Sequence, residues 1–253
     1  MTIPDYPTLF WISAACSVLL IGVAKGGFGA GVGVLATPLM SLTIPVSDAV
    51  AILLPLLILC DIVAFATYRT TYDRPSIKVL LPGAMIGIAA GAFFFGYFMG
   101  KDHLLKVGIG VLAVLFVLFQ ATRAYLTGAL QKHRPPVAEG VAMGALAGFT
   151  STVAHAGGPP LAVYLLPQKL PQNLYVGTTA WFFAVTNAVK LAPYWYLGLL
   201  KSGDWTAVLL LAPLSFVGVK LGLFLNGRFK EKWFTRIVYT MLLLSGIHLI
   251  MGR

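Results

Sequence analysis

Three basic side chains and one acid stand deep in apolar stretches, where a membrane-like composition should hold none. They are Lys25, His155, Lys190 and Asp61. A lysine at the middle of a membrane costs roughly 2.5–3.5 kcal/mol on insertion scales, so its retention points to a task. Lys25 lies in the segment Ala24-Lys25-Gly26-Gly27-Phe28-Gly29-Ala30-Gly31, and His155 lies in Ser151-Thr152-Val153-Ala154-His155-Ala156-Gly157-Gly158-Pro159-Pro160. Both segments interrupt a helix with glycine. A half-helix that restarts inside a membrane presents free N–H groups and a partial positive charge, which suits an anion. Glycine lets that backbone approach a ligand closely. The expected substrate-binding set is therefore Lys25, Gly27, Gly29, Gly31, His155, Gly157 and Gly158. Lys190 adds charge to it, and Thr178, Thr179 and Asn187 on the same stretch add neutral hydrogen-bonding groups.

Each of these residues also has a plainer reading. The glycines could serve only close helix packing. Lys25 could snorkel to a surface, as Lys220 could toward the basic loop at Arg228. His155 could bind a substrate oxygen, relay a proton or hold a freed carbonyl. Asp61 could pair with Lys25 or Lys190, or carry a coupling proton, a role also open to His155. Trp181 lies near Asn187 and Lys190, and either lines a cavity or packs. Gly83, Gly87 and Gly91, with Gly218 and Gly222, recur every four residues, which favours close helix packing.

Other chemistries lack their signatures. There is no His-Glu-x-x-His, no Gly-x-Ser-x-Gly and no run of paired acids, so no enzyme is expected. Gly31-x-Gly33-x-x-Ala36 has the form of a dinucleotide fingerprint without its strand, helix and acidic residue. Cys16 and Cys60 show no metal-ligand spacing and read as small buried hydrophobes. No cofactor and no metal are expected.

The elements that must position these residues are membrane helices. Of 253 residues 58% are hydrophobic and 10% charged, against about 25% charged in a soluble domain. The net charge of +10 gathers at the ends of apolar segments, where it signals topology rather than a nucleic-acid partner. Residues 9–42 would make a helix of about 51 Å, longer than a hydrocarbon core of about 30 Å. They are broken at the first glycine cluster, and residues 138–167 are broken at the second. Each stretch should be a re-entrant hairpin or two short spans. Three longer helices follow in each half, at 48–67, 79–99 and 104–126, then at 173–199, 205–226 and 233–251.

The two halves repeat each other. A shift of 126 places Gly31 on Gly157, Pro45 on Pro171, Asp61 on Asn187 and Tyr68 on Tyr194. A shift of 131 places Pro82 on Pro213, Gly87 on Gly218, Gly91 on Gly222, Gly96 on Gly227 and Lys101 on Lys232. The expected organisation is a first repeat over 1–126, a cytoplasmic linker over 127–137 and a second repeat over 138–253. If each broken stretch returns to its starting side or crosses twice, eleven Lys and Arg share the cytoplasmic side: Arg69, Arg74, Lys78, Arg123, Lys132, Arg134, Lys169, Arg228, Lys230, Lys232 and Arg236. Four lie outside: Lys101, Lys106, Lys201 and Arg253. That asymmetry puts both termini on the outer, periplasmic side and inverts one half relative to the other, a recurrent transporter design. Met1–Thr8 holds no basic residue, so the first segment is expected to stay. Tyr6, Trp11, Tyr97, Trp195, Tyr196, Trp205, Trp233 and Tyr239 read as interfacial anchors.

At the two breaks the sequence resembles the sulfite exporter TauE/SafE family. The residues that carry the likeness are Lys25-Gly26-Gly27-Phe28-Gly29-Ala30-Gly31 leading to Thr37-Pro38-Leu39, and His155-Ala156-Gly157-Gly158-Pro159-Pro160 leading to Tyr164-Leu165-Leu166-Pro167. Val176-Gly177-Thr178-Thr179, Phe182-Phe183 and Asn187-x-x-Lys190 add to it. Ala30, Val32 and Pro159 interrupt the family's denser glycine runs. The resemblance implies a transporter of sulfite or of an organosulfonate such as sulfoacetate.

The expectation is an all-α polytopic protein of the inner membrane, with two inverted repeats, each a glycine-broken hairpin followed by three transmembrane helices. It would carry a small sulfur-containing anion, with membrane lipids as its other partners. An anion channel is the first alternative, and a membrane-embedded enzyme the second.

Overall fold

The structure, a computed structural model, describes residues 6–28, 33–128, 134–202, 204–226 and 231–252; of 123–128, 201–202, 231–235 and 237 it describes the backbone alone. All regular structure among them is helical: α1 (Thr8–Val23), α2 (Ala36–Met40), α3 (Val46–Tyr68), α4 (Arg74–Phe98), α5 (Asp102–Gly128), α6 (Val137–Ala154), α7 (Gly158–Leu165), α8 (Gln172–Tyr196), α9 (Leu199–Ser202), α10 (Trp205–Leu225) and α11 (Glu231–Met251). Six helical stretches among the described residues are long and apolar enough to cross a membrane: Thr8–Phe28, Val46–Tyr68, Arg74–Phe98, Asp102–Thr122, Val137–Ala154 and Trp205–Leu225. The polarity runs inside out. Ile62, Phe93, Leu115, Leu209 and Phe224 are exposed, while Asp61, Asn187, Lys190 and Thr186 are buried. That arrangement suits hydrocarbon, which cannot satisfy a polar group from outside.

Both glycine-broken stretches double back. Helix α1 runs into a π-helical turn, Ala24–Phe28, and a 3₁₀ turn, Gly33–Leu35, leads into α2. Gly33 returns against Ile21, the Ser17 hydroxyl donates to the Ala36 carbonyl at 3.3 Å, and Met40 and Ile44 share a buried cluster with Phe10 and Ala14. In the second half Gly157 sits against Ala147, and Gly140 sits against the ring of Tyr164. The return arm α7 spans only about 12 Å at 1.5 Å per residue, too short to cross. In both stretches the outgoing arm is the longer and the return arm the shorter.

The hairpins enter from opposite ends of the bundle. The start of α3 meets the start of α5, where the Val46 N–H donates to Asp102 at 2.8 Å; Ile44, which closes the first hairpin, lies beside it. The start of α6 meets the α3–α4 turn, where Arg134 pairs with Asp73 at 3.3 Å. Arg69, Arg74 and Lys169 belong to that Asp73 end, since Gln168 bonds Ser76 at 3.2 Å. Lys101 and Lys106 belong to the Asp102 end.

Helix α4 packs on α6, and α10 packs on α1. Small residues make both seams. A β-carbon on Gly83 or Gly87 would overlap the Val141 or Ala145 carbonyl, and Gly22 and Gly26 meet Gly218, Val219 and Gly222 in the same way. The packing role expected of these glycines is what the seams show. Equivalent positions also do equivalent work. Pro45 and Pro171 immediately precede α3 and α8. Asp73 and Asp204, 131 apart, cap α4 and α10 by accepting N–H bonds from Ser76 (3.0 Å) and from Thr206 (2.9 Å). Tyr68 donates to the Gly26 carbonyl at 3.0 Å, and Tyr194 donates to the Thr152 carbonyl at 2.7 Å, with each pair 126 apart. Two interior assignments differ from the sequence reading. Cys16 is exposed and faces outward. Tyr239 is 8% exposed and packs in the core rather than anchoring an interface.

Candidate functional site

The two hairpin tips meet α3 and α8 around a small cavity of about 40 Å³, room for about three waters. Lys25, Ser151, His155, Gly158 and Asn187 supply its polar wall, and Ile21, Val34, Leu57 and Phe183 its apolar wall. The Lys25 ammonium forms an ion pair with Asp61, reaches the Leu57 carbonyl at 3.4 Å and lies 5.5 Å from the centre of the Phe183 ring. Asn187 donates to the other Asp61 oxygen at 2.6 Å. Of the open pairings for Asp61, the one with Lys25 is formed.

Lys190 is fully buried and makes no ion pair among the described residues. It lies behind the cavity wall, not on it. Its ammonium is 3.0 Å from the Ser151 carbonyl, 2.9 Å from the Ser151 hydroxyl and 3.0 Å from His155 Nδ1. Three N–H groups thus meet three acceptors. If Lys190 donates to Nδ1, the His155 proton sits on Nε2, which faces the Val50 carbonyl at 3.0 Å. One chain of bonds then fixes the imidazole from both sides. The backbone cooperates: His155 ends α6 in the left-handed region, at φ 51° and ψ 29°. An L-residue accepts that conformation at a cost of roughly 1–2 kcal/mol, and such strain concentrates where geometry serves a site.

Helix ends leave carbonyls without partners. At the end of α6 they are taken by side chains and by the turn: Ser151 by Lys190, Thr152 by Tyr194, and Thr150 by the Ala156 N–H at 3.1 Å. On the facing side α7 restarts at Gly158 with its positive end at the cavity. Pro159 and Pro160 carry no N–H, so that end offers fewer donors than a helix of other residues would.

The remaining sequence candidates lie elsewhere. Gly27 packs on α10 at Gly222, and Gly157 packs between Ala147, Ser151 and Phe183. The Thr178 hydroxyl donates to the Leu174 carbonyl (2.6 Å) and accepts from the Asp73 N–H (2.8 Å), so it fastens the α3–α4 turn. Thr179 bonds within α8, to Val176 at 2.8 Å. Trp181 donates to the Arg69 carbonyl at 3.1 Å and stacks near Phe65 and Tyr72, away from the cavity. Gly29 and Gly31 lie outside the described residues. Ser151 is a cavity residue that the candidate set lacked; its signal was the shift of 126, which places it on Lys25. Among the described residues no group of three His, Cys, Asp or Glu could hold a metal ion.

The ion pair has a measurable consequence. Lys25 and Asp61 are almost fully enclosed, with side chains 10% and 4% exposed. Removing one partner of a buried pair costs about 3–5 kcal/mol, while replacing both by apolar residues is often near neutral. Asp61→Leu is therefore expected to lower the melting temperature of the purified protein, and Lys25→Met/Asp61→Leu to restore most of it without restoring anion movement. A single variant as stable as the parent would remove the pair from the account.

No curated protein and no solved structure matches the chain. The model of one family, described as Sulfite exporter TauE/SafE, matches residues 14–249. With nearly the whole chain matched and an all-helical bundle to carry it, the protein belongs to the sulfite exporter TauE/SafE family, a family of membrane transporters of sulfur-containing anions.

Proposed function

We propose that this protein is a secondary transporter that binds sulfite or an organosulfonate such as sulfoacetate between its two hairpin tips and exchanges it across the cell membrane. The observation that carries this reading is the charge at the cavity. Lys25 and Asp61 cancel, and Lys190 is left as a buried cation with no acid of its own. A bound anion supplies that missing charge, and in a low-dielectric interior the attraction is strong. The Gly158 end of α7 adds to it. The cavity fits a compact oxyanion; a sulfonate with an organic tail needs the tips to part.

The halves are read as inverted repeats. Support comes from hairpins that enter from opposite ends, from the exchanged seams α4–α6 and α10–α1, and from tyrosines 126 apart that bond carbonyls 126 apart. The basic Asp73 end is assigned to the cytoplasm, which places both termini outside. Asp61 and His155 are the groups able to exchange a proton with the cycle.

Purified protein in proteoliposomes, given radiolabelled sulfite and sulfoacetate, tests the reading. Uptake above protein-free vesicles is expected for at least one, and an inward proton gradient should raise it. Folded protein that moves neither anion under any gradient would refute it. Saturable, slow flux separates a transporter from a channel.

A further inference from the structure

A second cavity, of about 310 Å³, opens at the Asp102 end, lined by Ser41, Asp102, His103, Lys106 and His248. The acid in it is already committed: one Asp102 oxygen accepts the Val46 N–H (2.8 Å) and the other accepts Lys106 (3.0 Å). What remains for a ligand is a set of donors, namely two imidazoles and the other Lys106 protons. That set suits an oxyanion.

A second observation connects this cavity with the central one. Two buried side-chain polar atoms among the described residues have no hydrogen-bond partner, Thr37 Oγ1 and Ser41 Oγ, and both residues are 0% exposed. Thr37 lies in α2 and Ser41 caps its C-terminus in the same right-handed backbone region, four residues on and so on one face. An unpartnered hydroxyl in a core costs about 1–3 kcal/mol, so two in a line call for an occupant. Ser41 lines the Asp102-end cavity. One turn deeper is Thr37, and one turn beyond that are Gly33 and Val34, which line the central cavity. Helix α2 is packed between α1, α3, α5 and α11, so a small shift of α5 and α11 would open this face along its length.

We propose that α2 is the route between the central site and the Asp102 end: the sulfur oxyanion passes along the face bearing Thr37 and Ser41, with the cavity of Ser41, His103, Lys106 and His248 as an outer binding station. This rests on the transport reading for its substrate. The burial of Thr37 closes the route in the present conformation, and its hydroxyl and that of Ser41 bond the anion, or its water, only while it passes.

Thiol accessibility tests the route. In a Cys16→Ser/Cys60→Ala background, Ser41→Cys, Thr37→Cys and a core control, Leu53→Cys, are made and treated in detergent with a small cationic thiol reagent. Ser41→Cys and Thr37→Cys should react at least about ten times faster than the control, as local opening of about 1.4 kcal/mol less would give. Excess sulfoacetate or sulfate should slow both. Thr37→Cys reacting as slowly as Leu53→Cys overturns the route. Fast reaction indifferent to both anions leaves a path for water only and overturns the anion assignment. Labelling slowed by anion in a protein that moves none in proteoliposomes keeps the route and refutes transport. A folding failure of Thr37→Cys is met by a second measurement: Thr37→Ser should keep uptake and Thr37→Val should lose most of it, and equal uptake by the two overturns the role of the hydroxyl.

Discussion

Uptake by proteoliposomes is expected to fall by about 100-fold when Lys190 is replaced by methionine, with the fold retained. Methionine is unbranched and of similar length, so the space in α8 stays filled. What goes is the ammonium that bonds Ser151 twice and His155 once. The Ser151 carbonyl keeps only the His155 N–H, at 3.0 Å, and the imidazole loses the donor that fixes its tautomer. Truncating one member of a buried charged network costs about 2–5 kcal/mol, and about 3 kcal/mol corresponds to 100-fold. The charge at the cavity also drops to zero, so anion binding should weaken with turnover. Lys190→Arg should not rescue it, because a planar guanidinium cannot reach three acceptors arranged around a point. A methionine variant that is monodisperse and transports like the parent would take Lys190 out of the site.

The second large effect concerns assembly. Gly87→Leu is expected to abolish recovery of folded protein, whereas Gly108→Leu is tolerated. At Gly87 a β-carbon would overlap the Ala145 carbonyl and stand 2.8 Å from the Phe149 nitrogen; both are backbone atoms of α6 and cannot swing aside. At Gly108 nothing lies within 4 Å. Lipid is as apolar as the helices, so the α4–α6 seam is held by close contact rather than by exclusion of water, and parting it forfeits that contact. The cost should be about 3 kcal/mol or more, the upper range for overpacking. Size-exclusion profiles of the two variants decide it; a sharp, parent-like peak for Gly87→Leu would mean that α4 and α6 do not meet in this way.

The breaks and the packing glycines were legible because each rests on residue types that apolar helices rarely tolerate. Lys190, His155 and Asp61 stood out for the same reason. Facing was not legible. A soluble helix shows its buried side by contrast with a polar one, but here the outside is lipid and both sides are apolar. Thr178, Thr179, Asn187 and Lys190 therefore looked like one group on one stretch. The structure places Asn187 on the cavity, Lys190 behind it and Thr178 at the α3–α4 turn. Cys16 was read as buried on the same mistaken premise. Ser151 escaped the candidate set because serine is common in membrane helices, and only its place opposite Lys25 in the repeat marks it.

The repeat also separates frame from chemistry. The frame is alike in both halves: caps at Asp73 and Asp204, tyrosines at 68 and 194, and seams of glycine. The centre is not. At a shift of 126 in sequence, Lys25 aligns with Ser151, Gly29 with His155, Asp61 with Asn187 and Ala64 with Lys190. Every ionisable group there is present in one half only.

Asp61 and Asn187 make this more than a difference in composition. They are repeat equivalents and they touch, which places them where the two halves cross. A homodimer must present the same residue twice at such a crossing, carboxylate on carboxylate or amide on amide. The first repels and the second carries no charge for Lys25. An acid–amide pair is open only to halves joined in one chain, each free to change alone. The centre of this protein thus holds a single negative charge, shared between the Lys25 ammonium and the Asn187 amide.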